Sequence, residues 1–306
     1  MHVSVVLTTR NSSSYITRAL DALSVQSNRD FEVIIVDDAS DDVIELSIIV
    51  NSFQKKLNIK TFYLQNKKNA SYTRNYGASK SIGDVISFHD ADDIWARNKV
   101  EVIIEHFQKE PNQVAPILYF HQTLRGTYDE IDSDKCILLP SEFNEGCNIV
   151  DYLINDFGVI QTSTISINRS CLEKVCFDDS LVRHQDIQYC IDAYLKNVKF
   201  SYIQAPLSYW VILEPAVNAV SKGASVDFCI DWVKKNRKIL SELNIINYYG
   251  NVISFISIKE RCFFKGFFYF SNEFGLKIGF KAFSTFCKIF ISKIKVKIHR
   301  MRVRNA

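Results

Sequence analysis

The chain has 306 residues, 47% apolar and 23% charged, with a formal net charge of +3. This is an ordinary globular composition with ample core material, enough for one large α/β domain with an appendage or two small domains. No run of about 18 uninterrupted apolar residues is present, so the sequence offers no transmembrane helix.

Val3-Ser4-Val5-Val6-Leu7 is an apolar run of strand length, broken by Thr8-Thr9-Arg10-Asn11. It is too short for a signal peptide, and Arg10 follows at once. An Asn/Ser cluster can cap the next helix, where Tyr15, Ala19, Ala22 and Leu23 share one face. Phe31 to Val36 reads as a second buried strand, ending in Asp37-Asp38-Ala39-Ser40-Asp41-Asp42. Periodicity then predicts a helix over 43–57, a strand over 59–64 and a helix over 71–81. A fourth apolar run, Val85-Ile86-Ser87-Phe88, leads into Asp90-Ala91-Asp92-Asp93, and a helix follows over 98–108.

The strands are apolar on both faces, as in a parallel sheet covered by helices. In such open sheets ligands bind beyond the carboxyl ends of the strands. The polar residues Thr8, Asp37, Asp38, Asp90 and Asp92 fall at those ends. Three carboxylates within four residues repel one another, and a divalent cation is the simplest group that would neutralise them. A solvated acidic turn opening the next helix is the plain alternative. No Gly-x-Gly-x-x-Gly follows the first strand and no Walker lysine is present, so the usual dinucleotide and P-loop devices are missing. A nucleotide diphosphate would need a metal at the carboxylates instead.

Residues 111–145 show no clear period, whereas 159–167 alternate and predict a half-buried strand. Arg183-His184-Gln185-Asp186 leads into a helix over 187–195, which Asp186 could simply cap, and a single His184 is most often structural. Residues 200–212 read as strand and aromatic loop; 228–240 and 252–270 read as helices, the second rich in Phe. From Phe274 onward there are nine Lys/Arg and no Asp or Glu, against 28 basic and 34 acidic residues before it. Phe280, Phe283, Cys287, Phe290, Ile291, Ile294 and Ile298 follow at helical spacing, and Lys281, Lys288, Lys295 and Arg302 recur every seven residues on another face. A basic helix with such an opposite face is an interfacial-membrane pattern, with about 1 kcal/mol of attraction per basic residue near an anionic surface. A helix packed on the body with a solvated basic face is the alternative. Nucleic acid is not an expected partner, since no recognition motif accompanies the charge. The eight cysteines are scattered without C-x-x-C or zinc-like spacing, so a reducing, cytoplasmic compartment is expected.

These pieces resemble glycosyltransferase family 2, the inverting transferases with the A-type nucleotide-sugar fold. Val3 to Asn11 is similar to the family's opening strand and turn, and Phe31 to Asp41 to its strand ending in Asp-Asp-x-Ser. Thr73-Arg74-Asn75-Tyr76-Gly77-Ala78 resembles its Ala-Arg-Asn-x-Gly helix, and Asp90-Ala91-Asp92-Asp93 its metal-binding Asp-x-Asp. Arg183-His184-Gln185-Asp186 resembles its acceptor-side Glu-Asp pair, with Gln185 replacing Glu. Five motifs in the family's order span about residues 3–212.

The resemblance implies an α/β, Rossmann-like, mainly parallel sheet with flanking helices, followed by a C-terminal helical region. It places a transferase domain over 1–215, with a nucleotide-sugar half (1–110) and an acceptor half (111–215), and a helical region with the basic amphipathic tail over 216–306. Asp92, with Asp90 directly or through water, would hold Mn²⁺ or Mg²⁺. Thr8, Asp37, Asp38, Arg74 and Asp90 would bind the donor, and Asp186 would be the general base. The implied reaction moves a sugar from a nucleotide-diphosphate donor, UDP being the expected nucleotide, to a glycan hydroxyl. The acceptor implied is lipid-linked, in bacterial surface polysaccharide synthesis, and the enzyme peripheral on the inner face of the cell membrane. Two rivals stand beside it. A nucleotidyltransferase of similar fold would normally carry a Gly-rich basic loop where Thr8-Thr9-Arg10-Asn11 stands. A catalytically silent homologue, acting as a membrane-associated assembly partner, has the intact Asp90, Asp92 and Asp186 against it.

Overall fold

The computed structural model describes residues 1–112, 114–140, 142–156, 158–213 and 225–304, with side chains as far as 291. Strands and helices alternate as β1 (Val3–Thr9), α1 (Ile16–Ser24), β2 (Phe31–Asp37), α2 (Val43–Phe53), β3 (Ile59–Tyr63), α3 (Ala70–Lys80) and β4 (Val85–Asp90). Then come β5 (Ile94–Trp95), α4 (Lys99–Lys109), β6 (Ile117–Gly126), α5 (Tyr128–Asp132), β7 (Ile137–Leu139) and α6 (Ile149–Ile154). A 3-10 turn (Thr162–Thr164), β8 (Ser166–Asn168), α7 (Arg169–Lys174), α8 (Gln185–Leu195) and β9 (Lys199–Val211) follow. The remainder is helical: α9 (Val226–Lys235), α10 (Glu242–Tyr248), a π-helical turn (Tyr249–Ile253), α11 (Ser254–Lys259), α12 (Phe263–Phe274) and α13 (Leu276–Arg304).

The nine described strands form one mixed sheet in the order β3-β2-β1-β4-β8-β6-β9-β5, with β7 on β6. Strands β1 to β4 run parallel, β8 is antiparallel to β4 and β6, and β6 is parallel to β9. The expected Rossmann-like, mainly parallel sheet with flanking helices is therefore present. Every residue of β1 and β2 is buried, which is why both read as continuous apolar runs. Register aligns their ends: Thr8 stands opposite Val36 and Asp90, and Thr9 opposite Asp37. The polar strand ends thus converge on one edge of the sheet.

The chain divides into two compact units, Met1–Ile149 with Gly158–Ala219, and Val150–Phe157 with Val220–Ala306. The boundary expected at 215/216 lies outside the described residues. Within the second unit, Asn244 donates to Asp151 Oδ1 at 2.8 Å and Asn247 to Asn155 Oδ1 at 3.0 Å, fastening α10 to α6.

Two expected elements differ. The strand over 159–167 is instead a 3-10 turn followed by the three-residue β8. Its polar side chains bond their own backbone: Gln161 Oε1 accepts from Ser163 N at 2.9 Å, and Thr164 Oγ1 donates to Gln161 O at 2.7 Å. The single helix over 252–270 is interrupted. Arg261 takes a left-handed φ of 57°, while Arg261 N reaches Ile258 O and Cys262 N reaches Ser257 O at 2.8 Å. That paired closure ends α11 although the apolar spacing runs on through it.

The glycine of the Arg74 helix has a packing cause. A Cβ at Gly77 would lie 2.5 Å from Val6 Cγ1 and 3.1 Å from Val36 Cγ2. Gly77→Ala gains about 1 kcal/mol of helix propensity but overpacks the helix–sheet interface by more, so a net loss of roughly 1–2 kcal/mol is expected in urea denaturation.

Candidate active site

The turns after β1 and β2 build one another. Asn11 Nδ2 donates to Asp41 Oδ2 at 3.0 Å, and Asp41 N returns a bond to Asn11 Oδ1 at 2.8 Å. Asp37 turns its carboxylate back onto Ser40, accepting from the Ser40 N–H at 2.9 Å and from its hydroxyl. Burial pushes the Asp37 pKa up against those donors. Asp38 accepts from Lys68 N at 2.6 Å and lies 3.8 Å from Arg10 Nη1. Thr8 is buried beside Asp90 in the sheet register.

Arg74, on α3, is 5% exposed and reaches two ways. Nη2 donates to Asp90 Oδ1 at 2.7 Å and Nη1 to Gln185 Oε1 at 2.9 Å, while the Phe177 ring lies 5.3 Å from the guanidinium. One buried cation therefore ties the end of β4 to the start of α8. Asp186 follows Gln185 in the first turn of α8, behind His184 in a left-handed conformation (φ 61°). Its Oδ1 accepts from Ile187 N at 2.8 Å. Burial raises the Asp186 pKa, Ile187 N and Arg74 act against this, and Asp90 adds to it. Through Gln185, its neighbour in that turn, Asp186 is tied to Arg74 and Asp90.

The neighbouring acids Asp92 and Asp93 have opposite fates. Asp93 is 1% exposed and accepts from Gln161 Nε2 at 2.7 Å, Ser163 Oγ at 2.5 Å and Val211 N at 3.0 Å. The fully buried Lys99 donates to Ser163 O at 2.5 Å, its Nζ 3.7 Å from the Trp95 ring centre. Burial pushes Asp93 upward and Lys99 downward, each toward its neutral form. Asp92 is only partly buried, and among the described residues no side chain donates to its carboxylate. Burial and then the Asp90 charge raise its pKa to about 7. The Tyr128 hydroxyl is buried without a hydrogen-bond partner among the described residues, and both Asp92 and Asp93 help raise its pKa after burial.

The structure thus gathers Arg74, Asp90, Asp92 and Asp186, with Thr8 beside Asp90, while Asp37 and Asp38 organise the adjoining strand end. Gln161, Ser163, Lys99 and Tyr128 escape the sequence reading. Only the run Gln161-Thr162-Ser163-Thr164, polar yet flanked by apolar residues, hints at a buried hydrogen-bonded turn. No three His, Cys, Asp or Glu side chains gather as a full metal cage among the described residues. A carboxylate without a side-chain donor, in the field of Asp90, fits a hard cation whose remaining ligands would be phosphate oxygens and water.

The two acids separate in their effects on stability. Asp93→Ala orphans three buried donors and should cost roughly 2–4 kcal/mol in urea unfolding. Asp92 has a folded-state pKa raised to about 7, so its favourable contribution is complete below the unfolded value and is lost as pH rises through about 7. Asp92→Ala should then be neutral to stabilising at pH 8 in EDTA.

The sequence matches known proteins along the same stretch. Residues 4–153 match the model for glycosyl transferase family 2. The chain is 31% identical over 246 residues to the amylovoran biosynthesis glycosyltransferase AmsB of Erwinia amylovora, covering 80% of this chain and 81% of that protein. It is 27% identical over 216 residues to the poly(ribitol-phosphate) β-N-acetylglucosaminyltransferase TarS of Staphylococcus aureus, covering 69% of this chain and 35% of TarS. The crystal structure of TarS 1–349 in complex with UDP-GlcNAc has a similar fold, with a TM-score of 0.60 at 20% identity over 90% of this chain and 75% of that one. Motif order, sheet topology and these matches agree, and the chain belongs to glycosyl transferase family 2.

Proposed function

We propose that this glycosyltransferase moves a sugar, with inversion, from a UDP-sugar to a hydroxyl of a bacterial surface polysaccharide carried on lipid. The observation that carries the reading is the Arg74 site, where Arg74 ties Asp90 to the start of the Asp186 helix and Asp92 receives no side-chain donor among the described residues. The name of AmsB, and TarS structures with UDP-GlcNAc and with UDP, support the polysaccharide and nucleotide assignments.

Asp92 and Asp90 would hold Mg²⁺ or Mn²⁺, which when bound neutralises charge on the departing diphosphate. Thr8 and Asp38 stand at the strand ends where the nucleoside would lie, and Asp37 keeps their turn in shape through Ser40. Arg74 keeps Asp90 and the start of α8 in register through its two bonds. Asp186 takes the proton of the acceptor hydroxyl as that oxygen bonds to the anomeric carbon. The bond from that carbon to the diphosphate breaks on the opposite face, and its electron pair leaves with the diphosphate. One displacement with one carboxylate base inverts the centre. Burial raises the Asp186 pKa, which makes its carboxylate a stronger proton acceptor than an exposed aspartate. A lipid-linked acceptor would bring the enzyme to the inner face of the cell membrane; no described helix is long and apolar enough to cross one.

Calorimetric titration of UDP with Mn²⁺ and with EDTA tests the donor site. Metal-dependent binding that disappears in Asp92→Ala is expected; full activity of that variant sinks the assignment, and no binding of any nucleotide favours a catalytically silent homologue. Asp186→Asn should keep donor binding and lose about 10²–10⁴-fold in turnover, with product configuration read by NMR. The acid limb of kcat/KM against pH should sit above the ordinary aspartate range, because the folded protein raises the Asp186 pKa. Gln185→Glu adds a negative charge beside Asp186 and should move that limb higher.

A further inference from the structure

The second unit carries a surface that the transfer chemistry does not use. Helices α12 and α13 meet along a phenylalanine seam, with Phe267 lying 6.0 Å from Phe280 and 5.7 Å from Phe283, ring centre to ring centre. Phe263 likewise lies 6.1 Å from Phe283 and 5.2 Å from Phe286. On the inner side Phe270, Phe274, Ala282 and Phe286 are buried and supply the helices' own core. On the outer side Phe264, Phe268 and Phe280 are 74%, 58% and 63% exposed. Phe264 touches Phe263, and Phe268 touches Phe267, so these exposed rings belong to one continuous aromatic face. Phe283, Phe290 and Ile291 prolong it along α13. Scattered exposed phenylalanines need no explanation, but a linked stripe of them marks an interaction surface.

Charge selects the partner. Lys265 is exposed between Phe264 and Phe268, and Lys277, Lys281 and Lys288 are exposed along α13. Glu242 takes Lys281 at 2.6 Å. The 29 residues of α13 include nine Lys/Arg and no Asp or Glu. A second copy docked face to face would bring two such acid-free helices together, like charge against like. Anionic headgroups instead complement them, and exposed aromatic rings among lysines suit the boundary between headgroups and acyl chains. We propose that the aromatic face built by Phe264, Phe268, Phe280, Phe283 and Phe290 docks the protein on a bilayer containing anionic lipid. The sequence alone starts this surface at Phe274; the fold adds α12, and the exposed rings before residue 292 carry the assignment. Docking extends the reading of a lipid-linked acceptor, but the test below reads binding alone.

The full chain is floated with phosphatidylglycerol/phosphatidylethanolamine vesicles and with phosphatidylcholine vesicles. UDP titration checks folding of each variant, and light scattering reports oligomeric state. Wild type should float with the anionic vesicles, and the triple variant Phe264→Ser, Phe268→Ser, Phe280→Ser should lose at least about ten-fold in partitioning. Lys277→Gln with Lys288→Gln should lose several-fold at low salt only. Should the triple variant fold poorly, Phe264→Ser alone and quenching of Phe268→Trp by brominated lipid replace it. The proposal is overturned if wild type stays unbound, if the folded triple variant floats like wild type, or if Phe268→Trp is not quenched. It is equally overturned if wild type is a dimer that these substitutions convert to a monomer without any vesicle binding, which would assign the face to a second copy. UDP binding that survives loss of flotation separates failure of docking from failure of the donor-site reading.

Discussion

A buried guanidinium has to be paired, and the pairing of Arg74 fixes the site. The cost of removing its charge from water is offset by Asp90 on one arm and by the Gln185 carbonyl on the other, with the Phe177 ring nearby. Those partners lie 16 and 111 residues away in sequence. Bringing them within reach requires α3 to sit close on the sheet, which Gly77 permits by leaving room for Val6 and Val36. It also requires α8 to begin where His184 turns left-handed. The strand order, the glycine and the strained turn are conditions for one pair of hydrogen bonds.

Four aspartates then differ by environment rather than by chemistry. Asp90 is held by Arg74, and Asp93 is surrounded by Gln161, Ser163 and Val211 N–H donors that make it part of the interior. Burial raises the proton affinity of Asp92 and Asp186 as it does that of Asp93, but these two have fewer donors. Carboxylates of one kind take different tasks when their surroundings push their pKa values apart. The Lys99–Ser163–Asp93–Gln161–Asp90 chain lies behind this division, so the interior keeps the turn rigid while its outward carboxylate stays available.

The alternation up to Asp90 is legible in sequence because β1 and β2 bury both faces and the acids fall just beyond them. β6 is not legible, because it buries His121, Gln122 and Thr123 in mid-strand. Gln122 donates to Pro140 O at 3.1 Å and Thr123 to Ser208 O at 3.0 Å, so neighbours satisfy polar groups that hydropathy counts against a strand. Sequence likewise cannot rank Asp92 against Asp93, since the donors that claim Asp93 arrive from residues 161, 163 and 211. The break at Arg261 is hidden for the opposite reason: its signal is a backbone angle, and a non-glycine residue adopts it.

Charge balance links the proton and metal readings of the site. If Asp90, Asp92 and Asp186 are all ionised, Arg74 leaves two negative charges uncompensated among them. Burial makes that excess costly, and the protein responds by raising the proton affinity of Asp92 and Asp186. A divalent cation beside Asp92 would supply the same compensation without a proton, and protons and metal would then compete for that carboxylate. Gln185 sharpens the balance. A glutamate there would add a third uncompensated charge and draw on Arg74, whereas the amide accepts the same hydrogen bond and leaves the guanidinium charge to Asp90 and Asp186. Gln185 thus retains the hydrogen-bonded geometry while lowering the negative charge the site must neutralise.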